Sequence, residues 1–267
     1  MIGAIVGDIC GSRFEGIDVK TKKFELMPLH PHQGCTTTDD SIMTLAIADA
    51  ILRWGKKTDI SDLEFKAAYC MQEFGRRYPY AGYGRRFYEW IFSKNPKPYG
   101  SFGNGAAMRI SPVGFAAESV SEACKMAEAV TKVTHNHPEA LKAAEAVAIA
   151  IFMARNGSKK DEIKEIIDKN YYRLDFTLDD IRPSYTFHVS CQNSVPQAFE
   201  AFFESTDFED AIRNAISIGG DTDTIAAITG GIAEAYYGVP NDIREKAYKF
   251  LNREQKELLE KFEKIYK

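Results

Sequence analysis

The chain has 267 residues, of which 27% are charged and 45% hydrophobic, and its formal net charge is −4. This length supports one large hydrophobic core, and the composition is ordinary for a globular protein in water. The negative balance argues against a nucleic-acid binder, because such proteins usually neutralise phosphates with basic surfaces. We therefore expect no nucleic-acid partner.

The cysteines and the apolar runs indicate the cellular compartment in which the protein is expected. The five cysteines are widely spaced and form no Cys-x-x-Cys pair, which argues against a disulfide scaffold and against a zinc site. No apolar run approaches the roughly 20 residues that cross a bilayer. The apolar N-terminus is interrupted by Asp8 and lacks a preceding basic segment, unlike a signal peptide. We expect a cytoplasmic monomer without membrane contact.

Helical periodicity begins early in the chain. Residues 41–54 place apolar side chains at three- and four-residue spacing, which predicts a helix. Ser61-Asp62-Leu63-Glu64 predicts a capping box that opens a helix ending near Arg77. Ser121 is predicted to start a helix that ends near Val133. Pro138 fits a first helical turn, and residues 139–155 are apolar nearly all round, which predicts a buried central helix.

The same periodicity continues to the C-terminus. Further helices are predicted at residues 159–170, 194–204, 207–217, 224–237 and 241–251, and from 253 towards 267. Only residues 184–189 alternate as a short strand would. Because no repeat or linker interrupts the pattern, we predict one all-α domain over residues 1–267.

Glycine-rich loops at residues 100–109 and 218–224 interrupt this helical background. Loops set on a rigid scaffold often carry function. Glycine-rich sequence is weak evidence by itself, however, since glycine also ends helices.

The segment Thr36-Thr37-Thr38-Asp39-Asp40-Ser41 has two interpretations. Threonine caps a helix, and aspartates in the first turn complement the positive end of the helix dipole. Alternatively, adjacent carboxylates at a helix start diverge by about 100° and can reach two different ions. The segment alone does not decide between these interpretations.

The segment Gly219-Gly220-Asp221-Thr222-Asp223-Thr224 also precedes a predicted helix. Two alternating aspartates would diverge by about 200° in a regular helix, so they converge only on irregular backbone, which the paired glycines permit. The segment does not match a calcium EF-hand loop. If the two acidic segments meet, their carboxylates and threonine hydroxyls are hard oxygen ligands that suit Mg²⁺, Mn²⁺ or Ca²⁺.

Motifs along most of the chain resemble the ADP-ribosylglycohydrolase family, which includes the dinitrogenase-reductase-activating glycohydrolases. The motifs occur in the family's order: Gly7-Asp8-Ile9-Cys10-Gly11-Ser12-Arg13-Phe14-Glu15, Thr38-Asp39-Asp40, Gly103-Asn104-Gly105-Ala106-Ala107-Met108-Arg109, Thr134-His135-Asn136-His137-Pro138 and Gly219-Gly220-Asp221-Thr222-Asp223-Thr224-Ile225-Ala226. The resemblance implies an all-α orthogonal helical bundle with two Mg²⁺ or Mn²⁺ ions.

The resemblance also implies a role for particular residues. The implied metal ligands are Thr38, Asp39, Asp40, Asp221, Asp223 and Thr224. The implied catalytic residues are Glu15, Asp39 and Asp223. The implied ADP-ribose contacts are Ser101, Phe102, Gly103, Asn104, Gly105 and His135. Asp8 is expected to support the site, His137 to lie outside it, and Tyr99 is a stacking candidate.

The implied activity is hydrolysis of the bond between ADP-ribose C1″ and a modified target, either a protein or a small-molecule conjugate. Arginine-linked ADP-ribose is the favoured substrate. Serine-linked and O-acetyl-ADP-ribose are alternatives, and a non-catalytic ADP-ribose-binding module is the rival from another class.

Overall fold

The computed structural model describes residues 1–28 and 34–266. Over these residues the chain forms helices and no β-strand; one isolated bridge joins Gly103 and Ser190. The helices, in chain order, are α1 (Ile2–Ser12), α2 (Asp39–Trp54), α3 (Ile60–Arg77), α4 (Arg85–Phe92), α5 (Gly105–Met108), α6 (Ser111–Ala116), α7 (Val120–Lys132), α8 (Pro138–Arg155), α9 (Lys160–Asn170), α10 (Leu178–Ile181), α11 (Cys191–Phe203), α12 (Phe208–Ser217), α13 (Thr222–Tyr237), α14 (Asn241–Tyr248) and α15 (Arg253–Tyr266).

The all-α prediction is confirmed, and most long helices lie where periodicity placed them. Helix α8 starts at Pro138, and its apolar residues are buried against α7, α13 and α6, so it is central as predicted. The last helix reaches Tyr266; Lys267, towards which it was predicted to run, lies outside the described residues. Among the described residues, no helix combines the length and hydropathy that a membrane span requires.

Three local predictions are wrong. Residues 184–189 form no strand, because the start of this segment turns back on α10: the amides of Ser184 and Tyr185 donate to the carbonyl of Ile181 at 3.0 and 2.8 Å. The proposed capping box at Ser61 also fails. Helix α3 begins at Ile60, one residue earlier, and Asp59 caps it without a side-chain hydrogen bond. Ser119, and not Ser121, caps α7 by accepting from the amide of Glu122.

Helix α1 was not predicted, and it packs along α13 more extensively than any other described helix pair. Gly3, Gly7 and Gly11 recur every four residues on one side of α1. A Cβ atom on Gly7 would overlap the carbonyl oxygen of Ala226, and one on Gly11 would lie 2.5 Å from the Cα atom of Asp223. Only glycine permits this approach, so the glycines here serve close packing of helices and do not break them.

Close packing of α1 on α13 places the two acidic segments side by side. Helix α2 contacts both α1 and α13, and the first residues of α2 and α13 meet at the same end of the bundle. Asp8 of α1 lies beneath them and is fully buried. The helix starts therefore converge on one site because the backbones of α1 and α13 almost touch.

Candidate active site

The start of α2 shows the predicted cap and leaves its two aspartates at a cavity. Thr38 is the N-cap, and its hydroxyl accepts from the amide of Asp40 at 3.3 Å. Asp39 and Asp40 occupy the first turn, where the helix dipole favours negative charge. Asp39 lines a cavity, and Asp40 is buried at its floor. The capping role and a ligand role are therefore compatible.

The start of α13 has the irregular backbone that its paired glycines permit. Gly219 and Gly220 have φ of 73° and 79°, in the left-handed region that glycine favours. Asp221 is the N-cap residue, outside the helix, whereas Asp223 lies in the first turn. Because only one of the two aspartates follows helical geometry, both can face the same cavity.

The two acidic segments meet in space. All six residues predicted to ligate metal line one cavity of about 550 Å³, and these residues are Thr38, Asp39, Asp40, Asp221, Asp223 and Thr224. Carboxylate oxygens of Asp8, Asp40 and Asp223 lie within 4.8 Å of one another, and so do those of Glu15, Asp221 and Asp223. Asp223 belongs to both groups. The hydroxyl of Thr224 lies 3.3 Å from Asp40 Oδ2 and donates to it.

Asp8 holds the start of α2 in place from below. Its carboxylate accepts from the Thr38 amide at 2.9 Å, from the Thr38 hydroxyl at 2.7 Å and from the Ser41 amide at 3.1 Å, and also from the Ser41 hydroxyl. Asp8 does not line the cavity. These contacts support the predicted supporting role, in which Asp8 orients Thr38.

Glu15 follows α1 and approaches the site from the solvent side. Its side chain is exposed, and the amide of the next residue, Gly16, donates to the carbonyl of Gly220 at 3.1 Å. This bond ties the Glu15 segment to the start of α13. Partial burial, with Asp221 and Asp8 nearby, raises the pKa of Glu15. Glu15 thus lies at the mouth of the acidic cluster as a somewhat strengthened base.

Crowding and burial strongly disfavour the charged forms of the buried acids. Burial raises the pKa of Asp8 to about 6, against the lowering effect of its hydrogen bonds from Ser41 and Thr38. Burial, with Asp8 and Asp221 as negative neighbours, raises the pKa of Asp39 to about 8. Burial also raises the pKa of Asp40 and that of Asp223, and each lies near further carboxylates.

The residues present fit divalent cations. Among the described residues, no lysine or arginine forms an ion pair with the aspartates of this cluster. Asp40 Oδ1 is buried and has no hydrogen-bond partner. A buried carboxylate normally has a partner or binds a metal, and a site made only of oxygen atoms suits a hard cation. The cluster can therefore hold Mg²⁺- or Mn²⁺-type ions.

The other end of the cavity is built by residues 100–109. Ser101, Gly103, Asn104 and Gly105 line it, as does His135. The amides of Gly103 and Asn104 donate to Ser101 Oγ at 3.2 Å and to the Val189 carbonyl at 2.9 Å. Within the described part of the chain, the amides of Ser101, Phe102 and Gly105 donate to no protein acceptor. Free amides in a glycine-rich loop can bind an anion such as a diphosphate.

Comparison with known proteins supplies the deciding observation. The family model described as ADP-ribosylglycohydrolase matches residues 1–266. The chain belongs to the ADP-ribosylglycohydrolase family. It is accordingly a glycosidic-bond hydrolase of the all-α type, which confirms the resemblance inferred from the motifs.

Individual proteins named as ADP-ribose hydrolases align with this chain over most of their length. The chain is 25% identical over 312 residues to ADP-ribosylhydrolase ARH3 of Homo sapiens, covering 90% of this chain and 84% of the relative. It is 26% identical over 280 residues to ADP-ribosylarginine hydrolase Tri1 of Pseudomonas putida, covering 90% and 70%. A solved structure of an ADP-ribosylglycohydrolase-related protein complex superposes with a TM-score of 0.66 at 25% identity, covering 93% of this chain and 94% of that chain.

Two of the predicted ADP-ribose contacts have other neighbours in this glycohydrolase. Phe102 does not line the cavity; its exposed ring lies 5.3 Å from the ring of His137, which caps α8 outside the site. Asn104 lines the cavity, but its amide group donates to Asp221 Oδ2 at 2.7 Å and to Ser194 Oγ at 3.1 Å. Asn104 thus connects the glycine-rich loop to the acidic cluster.

Sequence reasoning gave no separate role to Arg109, which ends the glycine-rich motif. Its side chain is only 1% exposed and lies in the cavity wall. The available signal was an arginine inside the apolar run from Ala106 to Ile110, because a buried arginine requires partners. Phe187 and Val189, which also line the cavity, gave no such signal.

Proposed function

We propose that the protein removes ADP-ribose from a modified target by hydrolysing the bond at C1″, with divalent cations held in its acidic cluster. The observation that carries the proposal is the convergence of five acidic side chains on one end of a cavity, without a basic partner among the described residues. The opposite end offers free backbone amides, which suit a diphosphate.

Six residues would hold two Mg²⁺ or Mn²⁺ ions: Thr38, Asp39, Asp40, Asp221, Asp223 and Thr224. The shared position of Asp223 in both acidic groups supports a role between two ions. When bound, such ions supply Lewis-acid stabilisation and orient the hydroxyls of the distal ribose. Asp8 keeps Thr38 in the orientation that its hydroxyl needs.

Glu15 is the proposed general base. A water molecule adds to C1″ and gives one proton to the Glu15 carboxylate, while the bond from C1″ to the nitrogen or oxygen of the target breaks. The leaving atom then takes up that proton from Glu15, which restores the carboxylate. The raised pKa of Glu15 favours this role, because a base works best when its pKa approaches the working pH. Asp39 and Asp223 contribute to catalysis because they would hold the divalent cations beside the distal ribose.

Arginine-linked ADP-ribose is our first choice of substrate, on a protein or on a small-molecule conjugate. One relative that covers most of this chain is named as an ADP-ribosylarginine hydrolase, which supports this choice. Serine-linked ADP-ribose and O-acetyl-ADP-ribose are the alternatives.

A release assay on defined substrates tests the proposal. Arginine-linked, serine-linked and O-acetyl-ADP-ribose substrates would be incubated with the protein and Mg²⁺, and free ADP-ribose would be quantified. We expect release from at least one substrate, fastest from the arginine-linked one, and no release after treatment with EDTA. Tight ADP-ribose binding without release from any substrate would support a non-catalytic binding module instead.

A further inference from the structure

Arg109 is a buried cation without a carboxylate partner among the described residues. One terminal nitrogen of its guanidinium donates to Thr134 Oγ1 at 2.7 Å and lies 3.3 Å from His135 Nδ1, while its Nε has no partner. Its charged centre lies 5.4 Å from the ring centroid of Phe87. Burying a charge without an opposite charge beside it costs free energy, so a functional role for Arg109 would explain why it is kept there.

The contacts of Arg109 determine which nitrogen of His135 carries a proton. Arginine can only donate hydrogen bonds, so its 3.3 Å contact with His135 Nδ1 is a hydrogen bond when that nitrogen is unprotonated. The hydroxyl of Thr134 accepts from Arg109, and its own proton has two acceptors within reach. His135 Nδ1 lies 2.7 Å away and the Thr131 carbonyl 3.4 Å away, so the shorter contact favours donation to Nδ1. Burial and the positive charges of Arg109 and Arg86 lower the pKa of His135, so the ring is neutral. Its single proton is therefore on Nε2.

The protonated nitrogen faces the glycine-rich loop. Nε2 of His135 would lie 3.4 Å from a Cβ atom on Gly105 and 3.6 Å from one on Gly103. Among the described residues, no hydrogen-bond acceptor contacts this nitrogen, and the ring lines the cavity. The Nε2–H group is thus a donor available to a ligand.

We propose that Arg109 is a positioning residue that fixes His135 as the Nε2–H tautomer, so that the ring donates to an oxygen of the ligand held at the glycine-rich loop. In this arrangement Arg109 donates to Thr134, and Thr134 donates to Nδ1 of His135. The Nε2–H group of His135 then faces the cavity, and each hydrogen bond strengthens the next. Such a chain favours an anionic or hydroxyl oxygen. The identity of that ligand as ADP-ribose rests on the function proposed above.

Nuclear magnetic resonance of the ring nitrogens tests the tautomer without any ligand. The signals of His135 would be assigned by their loss in His135→Gln. In the parent protein we expect a neutral ring with the proton on Nε2 that takes up no second proton down to about pH 5, below the ordinary histidine pKa. In Arg109→Met the ring should take up a proton at a higher pH, and Arg109→Lys should restore the parent behaviour. A proton on Nδ1 in the parent would overturn the proposal.

Binding measurements separate positioning from a general effect on folding. His135→Gln keeps an N–H near the place of Nε2, and we expect ADP-ribose affinity within about threefold of the parent. His135→Asn, whose amide matches Nδ1 instead, should lose about tenfold or more. If Arg109 acts through His135, the losses in Arg109→Met and His135→Asn should not add in the double variant.

The outcomes distinguish the two proposals. Additive losses, or equal binding by the Gln and Asn variants, would overturn the positioning role. If the parent binds no ADP-ribose, the proposed function fails, while the ring-nitrogen signals of the unliganded protein still decide whether Arg109 sets the tautomer.

Discussion

The two ends of the cavity are prepared for their ligands in opposite ways. At the acidic end, buried carboxylates crowd together, their pKa values are raised and Asp40 Oδ1 has no partner. At the loop end, two polar side chains are already held by neighbours: Asn104 contacts Asp221 and Ser194, and Nδ1 of His135 contacts Arg109 and Thr134, which leaves Nε2 of His135 for a ligand. The acidic end therefore requires cations to be stable in its charged form, whereas the loop end is organised before any ligand arrives.

The comparison predicts that substitutions at the acidic end cost the most. Asp223→Asn removes charge from both acidic groups at once, so activity should fall by more than about 100-fold, since even residues that support metal ligands cost 10- to 100-fold when changed. High Mg²⁺ should restore part of the loss, because weaker ligation raises the concentration needed. Initial rates of ADP-ribose release against Mg²⁺ concentration measure both effects.

Asp242→Asn is the matched control, since the side chain of Asp242 is 72% exposed and far from the cavity. It should keep parental rates at every Mg²⁺ concentration. An Asp223→Asn variant with parental activity at low Mg²⁺ would remove the acidic end from the mechanism.

Glu15→Gln should have the next largest effect, about 100-fold on turnover, because it removes a base and keeps the shape of the side chain. The affinity for ADP-ribose should change little, since Glu15 is exposed and anchored through Gly16. Single-turnover rates and calorimetric titration with ADP-ribose separate the two quantities. Unchanged turnover would show that Glu15 takes no part in proton transfer.

Gly103→Val should act at the loop end, with a loss of ADP-ribose affinity of about tenfold. The backbone of Gly103 is outside the left-handed region, so the reason is crowding: an added Cβ would lie 3.3 Å from Ser101 Oγ and 3.6 Å from His135 Nε2. Mg²⁺ affinity should stay near parental, and titration first with Mg²⁺ and then with ADP-ribose checks both. The smaller Gly103→Ala should show a smaller loss.

Asn104 provides a comparison for Gly103→Val, because its side chain connects the glycine-rich loop to the acidic end of the cavity. Asn104→Ala should weaken both ligands, since it removes a donor 2.7 Å from Asp221 Oδ2. If Gly103→Val weakened Mg²⁺ as much as Asn104→Ala does, the two ends would not be separable. If it bound ADP-ribose as the parent does, the loop would not hold the diphosphate.

The smallest expected effect is on stability against pH in the absence of metal. The folded pKa of Asp8 is raised to about 6 and that of Asp39 to about 8, whereas both ionise near pH 4 when unfolded. Between these values the unfolded chain binds fewer protons than the folded one, so the free energy of unfolding should fall as pH rises from about 4 to about 8.

Thermal melting in EDTA measures this slope, and we expect the melting temperature to fall as the pH rises over this range. Saturating Mg²⁺ should remove the decrease, because bound cations stabilise the ionised carboxylates. Asp39→Asn in EDTA should melt with a shallower pH dependence than the parent. An equal slope in both proteins would mean that the charge of Asp39 is not disfavoured by its surroundings.

Sequence reasoning predicts helices best where local signals agree. Pro138 in the first turn and an apolar run behind it located α8 almost to the residue. Helix α1 was missed because Gly7 and Gly11 have low helix propensity, and their benefit appears only when α13 packs against them. Local sequence carries no record of a partner more than 200 residues away.

In the candidate site, too, the sequence predicted the features that depend on local residue types and missed those that depend on the fold. Residue types in the two acidic segments are sufficient to indicate hard-cation chemistry, and the fold brings those segments together. The directions of side chains were beyond such reasoning. Phe102 does not line the cavity and packs beside His137, and the roles of Asn104 and Arg109 depend on neighbours that only the fold supplies.

The close packing of α1 on α13, which the glycines of α1 permit, has a consequence for synthesis of the protein. Asp8 is synthesised 215 positions before Asp223, and the acidic cluster needs both. At about 5–20 residues per second, the nascent chain spends roughly ten to forty seconds with Asp8 and α1 unmatched. If the cluster binds cations as proposed, its full set of carboxylates is available only after Asp223 has been made. Cation binding to the complete cluster would therefore follow the synthesis of both α1 and the start of α13.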